Sequence, residues 1–395
     1  MVVLDISSLT FETHTTGLSL LNSAKCYRPA GLGTTRDRQV GQGLVLMMAH
    51  GTGYHKEHWE PTIEQLFHLE SKYQSTLPKP TIRECWAIDV QNHGEAAVLN
   101  ERITRERPEA WSIWDYADAF VTLRRDILGS DPSYRDNKFV LIAHSASATA
   151  IILTTTFFPL PTLQTQNIFH SLILIEPAIA PSPAFLDNAT RTPLLHTMTS
   201  LMAKRKDTWA SKEEARAWMA EKMPWGMWDE RVLRLYVEYG LGEIADKQLQ
   251  GEGVTLRCTR RTETLAYERG IRQSMPGLWQ LNLLCSANAH MSATGASRSS
   301  SKASQPVGSH KPILPIHIIW GDIDDLFSRE IKDGLEDPDQ GRVFTSVSRV
   351  EDVGHMMVQT SPGATAKALW NILKESVRAG DGDLRSNSMQ TTSRM

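Results

Sequence analysis

The chain has 395 residues and a mass of 44.2 kDa. That allows two compact units, or one large α/β domain with insertions. Hydrophobic residues at 41% and charged residues at 22% exclude a wholly disordered or fibrous chain. With 42 Lys+Arg against 45 Asp+Glu, a formal charge of -3 gives no global attraction for nucleic acid or anionic membrane.

The N-terminal residues Met-Val-Val-Leu-Asp-Ile lack the basic and long apolar regions of a secretory signal. The first apolar run, Leu44 to Ala49, predicts a buried strand that ends at His50-Gly51. Glu84 to Asp89 predicts a second strand, ending in a polar turn, and Trp111 to Leu128 an amphipathic helix. Lys138 to Ala143 predicts a third strand, followed by small residues and a helix from Ser147. Ser171 to Ile175, Ile313 to Trp320 and Arg342 to Val350 complete the strands, and Thr365 to Val377 reads as a closing helix. Continuous apolar strands between amphipathic helices imply a mostly parallel sheet covered on both faces, the doubly wound α/β class. Ligands of that class bind at the carboxyl ends of the strands.

The expected organisation is a core over residues 1–180, a helical lid over 181–285 and a disordered loop over 286–311. The second part of the core, over 312–379, precedes a mobile tail over 380–395. The two mobile stretches are rich in Ser, Gly and Ala or otherwise polar, too poor in apolar surface to offset ordering entropy. In the lid, Lys206 to Met223 and Trp228 to Tyr239 read as helices. The lid also carries Met198, Met202, Trp209, Trp218, Met219, Met223, Trp225, Met227 and Trp228. Such side chains are the packing of an inserted helical layer, and a lid's inner face can also line an apolar pocket.

No apolar run approaches the ~20 residues that a membrane-spanning helix needs, so no membrane insertion is expected. Cys26, Cys85, Cys258 and Cys285 lie far apart without CxxC spacing. They read as free thiols of a reducing compartment, and no cluster has metal-ligand spacing, so neither a metal nor another cofactor is expected.

The chemistry concentrates at Ala143-His144-Ser145-Ala146-Ser147. A buried strand runs through small residues into a helix, the setting of a nucleophile elbow, with both usual glycines replaced. The bland alternative is a serine capping a helix. A serine needs a base, and His355 in Val353-Gly-His-Met-Met follows the last predicted strand. The imidazole needs an acid, and two sites compete: Glu176 in Leu-Ile-Glu-Pro, and Asp324 with Asp325 in Trp-Gly-Asp-Ile-Asp-Asp. His50-Gly51-Thr52-Gly53 and the residue after the serine are placed to offer oxyanion donors, from Thr52 and Ala146. The Gly-rich turn lacks the spacing of a phosphate cradle. Asp89-Val-Gln-Asn-His93-Gly94-Glu95 reads as a structural turn beside the site, and Arg257, Arg260 and Arg261 as a solvated basic face able to meet CoA phosphates.

In this order and combination the motifs resemble an α/β-hydrolase over most of residues 35–180 and 312–378. Within that superfamily, the segments 50–61 and 89–95 are similar to fungal peroxisomal hydrolases of secondary metabolism. That group includes the mycophenolic-acid acyl-CoA thioesterase and hydrolases of host-selective toxin pathways. The resemblance implies a serine hydrolase acting on an acyl ester or CoA thioester through Ser145, His355 and an acid. It sets Glu176 slightly above Asp324. A non-hydrolytic protein of the same fold, binding, cyclising or isomerising a metabolite, is the alternative. Ser393-Arg394-Met395 resembles a peroxisomal address, which implies an import receptor as partner.

Overall fold

Uninterrupted apolar runs become the middle of a sheet. The computed structural model describes residues 2–15, 17–31, 43–73, 81–107, 109, 111–166, 168–182, 199–244, 253–297 and 312–375. Its main strands are β1 (Leu4–Thr13), β2 (Leu20–Pro29), β3 (Leu44–Ala49), β4 (Ile82–Ile88), β5 (Lys138–His144), β6 (Ser171–Ile175), β10 (Ile316–Gly321) and β11 (Ser346–Val350). They pair in the order β1-β2-β4-β3-β5-β6-β10-β11. β2 is antiparallel to β1 and β4. The remaining pairs are parallel.

Alternate residues of each strand point to opposite faces. Val45, Met47, Leu141, Leu174 and Ile318 therefore join one apolar layer. Leu46, Met48, Ile142, Ile173 and Ile319 join the other. The first layer includes side chains of the helices Ile113–Thr122, Ser147–Leu153 and Arg260–Ser297. The second includes those of Glu60–Lys72 and of the helix over residues 362–375. Both faces are covered, as continuous apolar strands require.

The two N-terminal strands were not expected, because their composition is polar. β1 is a largely exposed edge. β2 buries Asn22, Ser23 and Lys25 among Leu20, Ala24, Cys26 and Tyr27. Each polar side chain has a partner: Lys25 Nζ lies 3.0 Å from Glu57 Oε1, and Asn22 Nδ2 donates to Thr13 Oγ1 at 3.0 Å. Buried polar groups are tolerated when paired in this way.

The segment expected as a helical lid is not all helix. β7 (Thr208–Trp209), β8 (Leu241–Glu243) and β9 (Val254–Leu256) form a small antiparallel sheet in the order β7-β9-β8. The expected helix from Lys206 begins only at Lys212, because the Ser211 hydroxyl caps it by accepting from the Glu214 N–H. Trp209, Met219, Trp225 and Trp228 pack with Val232 and Tyr236 into a separate apolar cluster. Met223 and Met227 are exposed, and Met198 lies outside the described residues.

The disordered loop expected from residue 286 is also corrected. The helix Arg260–Ser297 runs through residues 286–297. Alanine-rich sequence favours a helix, and Asn288 ties it to the start of β10: its Nδ2 donates to Leu314 O at 2.9 Å. The rest of that stretch, 298–311, and the tail, 380–395 with its terminal tripeptide, lie outside the described residues.

Leu278, Leu281 and Leu284 are buried at helical spacing, whereas Leu283 is 48% exposed. Leu281→Ala is expected to cost about 2–5 kcal/mol, and Leu283→Ala less than about 0.5 kcal/mol. Urea unfolding of the two variants checks this, and equal costs would contradict the register of the helix.

Candidate functional site

The parallel strands deliver their loops to one edge of the sheet. β3 leads to His50-Gly51-Thr52-Gly53, β5 to Ser145, β6 to Glu176, β10 to residues 321–325, and the loop after β11 carries His355. Adjacent strands lie about 4.8 Å apart, so these loops meet although the residues are far apart in sequence.

Ser145 has φ 61° and Glu176 φ 46°, in the left-handed region that side chains rarely adopt. Such strain persists only where surrounding bonds over-determine it. At the elbow, Ser145 N–H donates to Ile175 O at 3.0 Å, and Ala178 N–H donates to Ser145 O at 3.1 Å. The Ser147 hydroxyl donates to His50 O. The glycines absent from the elbow are replaced by buried Ala143 and Ser147. Closeness is supplied from across the gap: a Cβ on Gly51 would sit 3.1 Å from both His144 Nδ1 and Ser145 Cβ.

Ser145 Oγ lies 3.0 Å from His355 Nε2, and His355 Nδ1 lies 3.3 Å from Glu176 Oε2. All three side chains are buried or nearly so. With Glu176 accepting from Nδ1–H, Nε2 is free to accept the serine proton. The second carboxylate oxygen is also held: Glu176 Oε1 accepts from Gly321 N–H at 2.6 Å and lies 3.2 Å from Lys332 Nζ. Burial pushes the Glu176 carboxyl up. The hydrogen bond and charge of His355, the Gly321 N–H and the Lys332 ammonium outweigh that burial, and the carboxyl ends below its usual range.

The structure does not bring Asp324 to the imidazole. Its carboxylate faces Lys332 Nζ and Arg329 Nε, each at 3.3 Å. The neighbouring Asp325 instead grips the histidine's backbone, accepting from His355 N–H at 2.9 and 3.1 Å. A Cβ on Gly354 would collide with that carboxylate, which is why a glycine precedes the histidine. His144 fastens the same loop to the elbow, through Nε2 2.8 Å from His355 O.

Thr52 and Ala146 line one narrow cavity of about 30 Å³ with His93 and Ser147. The turn that carries Thr52 rests on two imidazoles. Gly53 N–H donates to His93 Nε2 at 3.0 Å and Val90 N–H to His50 Nε2 at 3.1 Å, so both rings must be neutral. Beneath them, fully buried Lys56 lies 2.8 Å from Asp89 Oδ2, and Asp89 also accepts the Lys56 and Glu95 N–H groups. The turn 89–95 is thus the support of the site. A wider groove of about 500 Å³, lined by Ser112, Trp114, Arg269 and Arg272, shares Ile113 and Gln273 with the narrow cavity. Arg257, Arg260 and Arg261 line neither cavity.

Sequence reasoning assigned nothing to Lys56, His144 and Lys332. His144 stood inside a quoted motif, and only its role was missed; Asp325, expected beside Asp324 as a candidate acid, holds the histidine's backbone N–H instead. Lys56 and Lys332 had no signal, because a lysine in a polar helical stretch reads as a solvated one. Among the described residues, no group of three or more His, Cys, Asp or Glu could hold a metal ion. No helix among them is long and apolar enough to cross a membrane. The four cysteines are free and buried.

The neutral histidines make stability depend on pH. Burial first, then neighbouring histidines, lowers His50, His93 and His144 to about 3, and burial lowers His317 to about 4. Their ordinary value is 6.5, so below it the unfolded chain binds more protons and stability falls as pH falls. Glu60, raised by burial to about 7, opposes this by one proton between 4.5 and 7. Burial also lowers His58 well below 6.5, so five histidines against one carboxyl give an expected net uptake of about four protons on unfolding. The urea midpoint should drop steadily below pH 6.5, and a constant midpoint down to 4.5 would contradict the neutral rings.

The model of the alpha/beta hydrolase family matches residues 45–368. The peroxisomal alpha-beta-hydrolase Lpx1 from Saccharomyces cerevisiae is 15% identical, with a TM-score of 0.65, over 100% of this chain and 99% of that one. E-2-(acetamidomethylene)succinate hydrolase is 15% identical, with a TM-score of 0.54, over 92% and 98%. The thioesterase domain from the curacin biosynthetic pathway is 13% identical, with a TM-score of 0.51, over 93% and 99%. At these identities the likeness shows the fold. No curated protein sequence matches the chain. The family match spans both halves of the core and every strand end that carries the site, and the chain belongs to the alpha/beta hydrolase family.

Proposed function

We propose that the protein is a serine hydrolase that cleaves an ester or thioester of an acyl compound such as an acyl-CoA. The observation that carries this reading is the unbroken chain from Ser145 Oγ through the His355 ring to Glu176 Oε2, with links of 3.0 and 3.3 Å. Ser145 Oγ attacks the acyl carbonyl carbon while its proton passes to His355 Nε2. The developing oxyanion accepts from the N–H groups of Thr52 and Ala146. Collapse breaks the bond to the alcohol or thiol, which leaves with the proton from Nε2. Water then adds to the acyl carbon and gives a proton to Nε2; collapse breaks the bond to Oγ, which takes that proton back, releasing the carboxylic acid and regenerating the Ser145 hydroxyl and the neutral imidazole.

Glu176 is the acid of this reading, because it faces Nδ1 while Asp324 is engaged by cations. The acyl group would approach through the wider groove, since the narrow cavity of about 30 Å³ holds about one water. Ile113 and Gln273 are common to both spaces and must part to admit it. A role in fungal secondary metabolism rests on the similarity of residues 50–61 and 89–95 to that group. A peroxisomal location is proposed from Ser393-Arg394-Met395 and from the fold shared with peroxisomal Lpx1.

A panel of simple esters and acyl-CoAs tests the reaction. Ser145→Ala and His355→Ala are each expected to lower kcat by at least about a thousandfold. Glu176→Gln should cost about a thousandfold or more, and Asp324→Asn no more than about tenfold. Turnover that survives Ser145→Ala would reject the mechanism, and the reverse ranking of the two acids would reassign the third member. A wild-type chain inactive on the whole panel would favour the non-hydrolytic alternative.

A further inference from the structure

We propose that Lys332 is a positioning residue that sets the charge balance of the triad, with Asp324 as its counterion rather than as the acid. The inference rests on the hydrolase reading above. Lys332 is fully buried on the helix Arg329–Glu336. Its Nζ lies 3.2 Å from Glu176 Oε1 and 3.3 Å from Asp324 Oδ1. It also donates to the carbonyls of Gly321, at 2.8 Å, and Ile323, at 3.3 Å. A lysine is almost never buried so completely without partners that hold its charge.

The two oxygens of Glu176 divide between two bases. Oε2 faces the imidazole and Oε1 faces the ammonium. The cation keeps the carboxylate ionised, and it also cancels part of the negative potential that would hold a proton on His355. Asp324 acts in the opposite sense, because it neutralises part of the ammonium. The two strand-end positions that competed for the acid's place are thus joined through one lysine.

The other charged and polar neighbours are few. Arg329 pairs with Asp324, and the Trp320 ring lies 5.5 Å from Lys332 Nζ. Around His355 stand Ser145, His144 with ring centroids 5.1 Å apart, the edge-on Phe327 ring, and Asp325 on the backbone N–H. Of these, only Lys332 adds a cation to the Glu176 carboxylate.

The test is the rate at which a fluorophosphonate labels Ser145, measured against pH in the full chain. Its acidic limb reports proton uptake by the coupled His355–Glu176 pair. Lys332→Met removes a buried cation and should move that limb to higher pH, by about one to two units. Asp324→Asn, whose side chain is 30% exposed, should move it to lower pH, by about half a unit. Lys332→Arg keeps the charge and should bring the limb back toward wild type. A purely structural role would slow labelling without shifting the limb in opposite senses.

Wild-type labelling with superimposable limbs in the variants would overturn this inference and leave the hydrolase reading intact. Absence of wild-type labelling at every pH would overturn the hydrolase reading and this inference with it. Should Lys332→Met fail to fold by circular dichroism, Asp324→Asn decides: an unmoved or raised limb overturns the proposal.

Discussion

The site depends on a hydrogen bond between side chains 210 positions apart, Ser145 and His355, at 3.0 Å. A contact between such distant residues has to be built by the topology. Parallel strands end on one edge, so loops from different parts of the chain meet there. The elbow then lifts the serine with a left-handed φ of 61°, and the loop after β11 lowers the imidazole onto it. His144 and Asp325 fix that loop from two sides, through the carbonyl and the N–H of His355 itself.

Around this contact the molecule buries several ion pairs. Lys56 with Asp89, Lys25 with Glu57 and Lys332 with Glu176 are all largely shielded from water. A buried ion pair is weak evidence for stability, since desolvation can match the Coulomb gain. Its value here is geometric. Asp89 accepts N–H groups from residues 56 and 95, and Glu176 accepts from residue 321, so each carboxylate clips separate loops together. Burial keeps His50 and His93 neutral, against the pull of the Asp89 carboxylate on His50, and only neutral rings can accept the Val90 and Gly53 N–H groups. Electrostatics and loop shape are therefore one constraint on the turn that carries Thr52.

The central strands were legible because full burial on both faces leaves an uninterrupted apolar run, as in Leu44–Ala49 and Ser171–Ile175. β1 and β2 were not legible: one is a solvated edge, and in the other paired Asn, Ser and Lys interrupt the buried apolar residues. The helix through residues 286–297 was hidden for a related reason. Small residues carry little periodic signal, and the docking of Asn288 is a tertiary contact. The candidate serine and histidine were readable from strand-end motifs alone. The choice between Glu176 and Asp324 was not, because both end strands and only distance separates them. Lys332 could not be found at all, since its environment is made by residues remote in sequence.

A double-mutant comparison tests the central contact most directly. On any substrate the wild type hydrolyses, kcat is measured for Ser145→Ala, for His355→Ala and for the two combined. If serine and imidazole work as one unit, the double variant loses about as much as either single variant. Losses that multiply would show that the two side chains act independently, and would contradict the account.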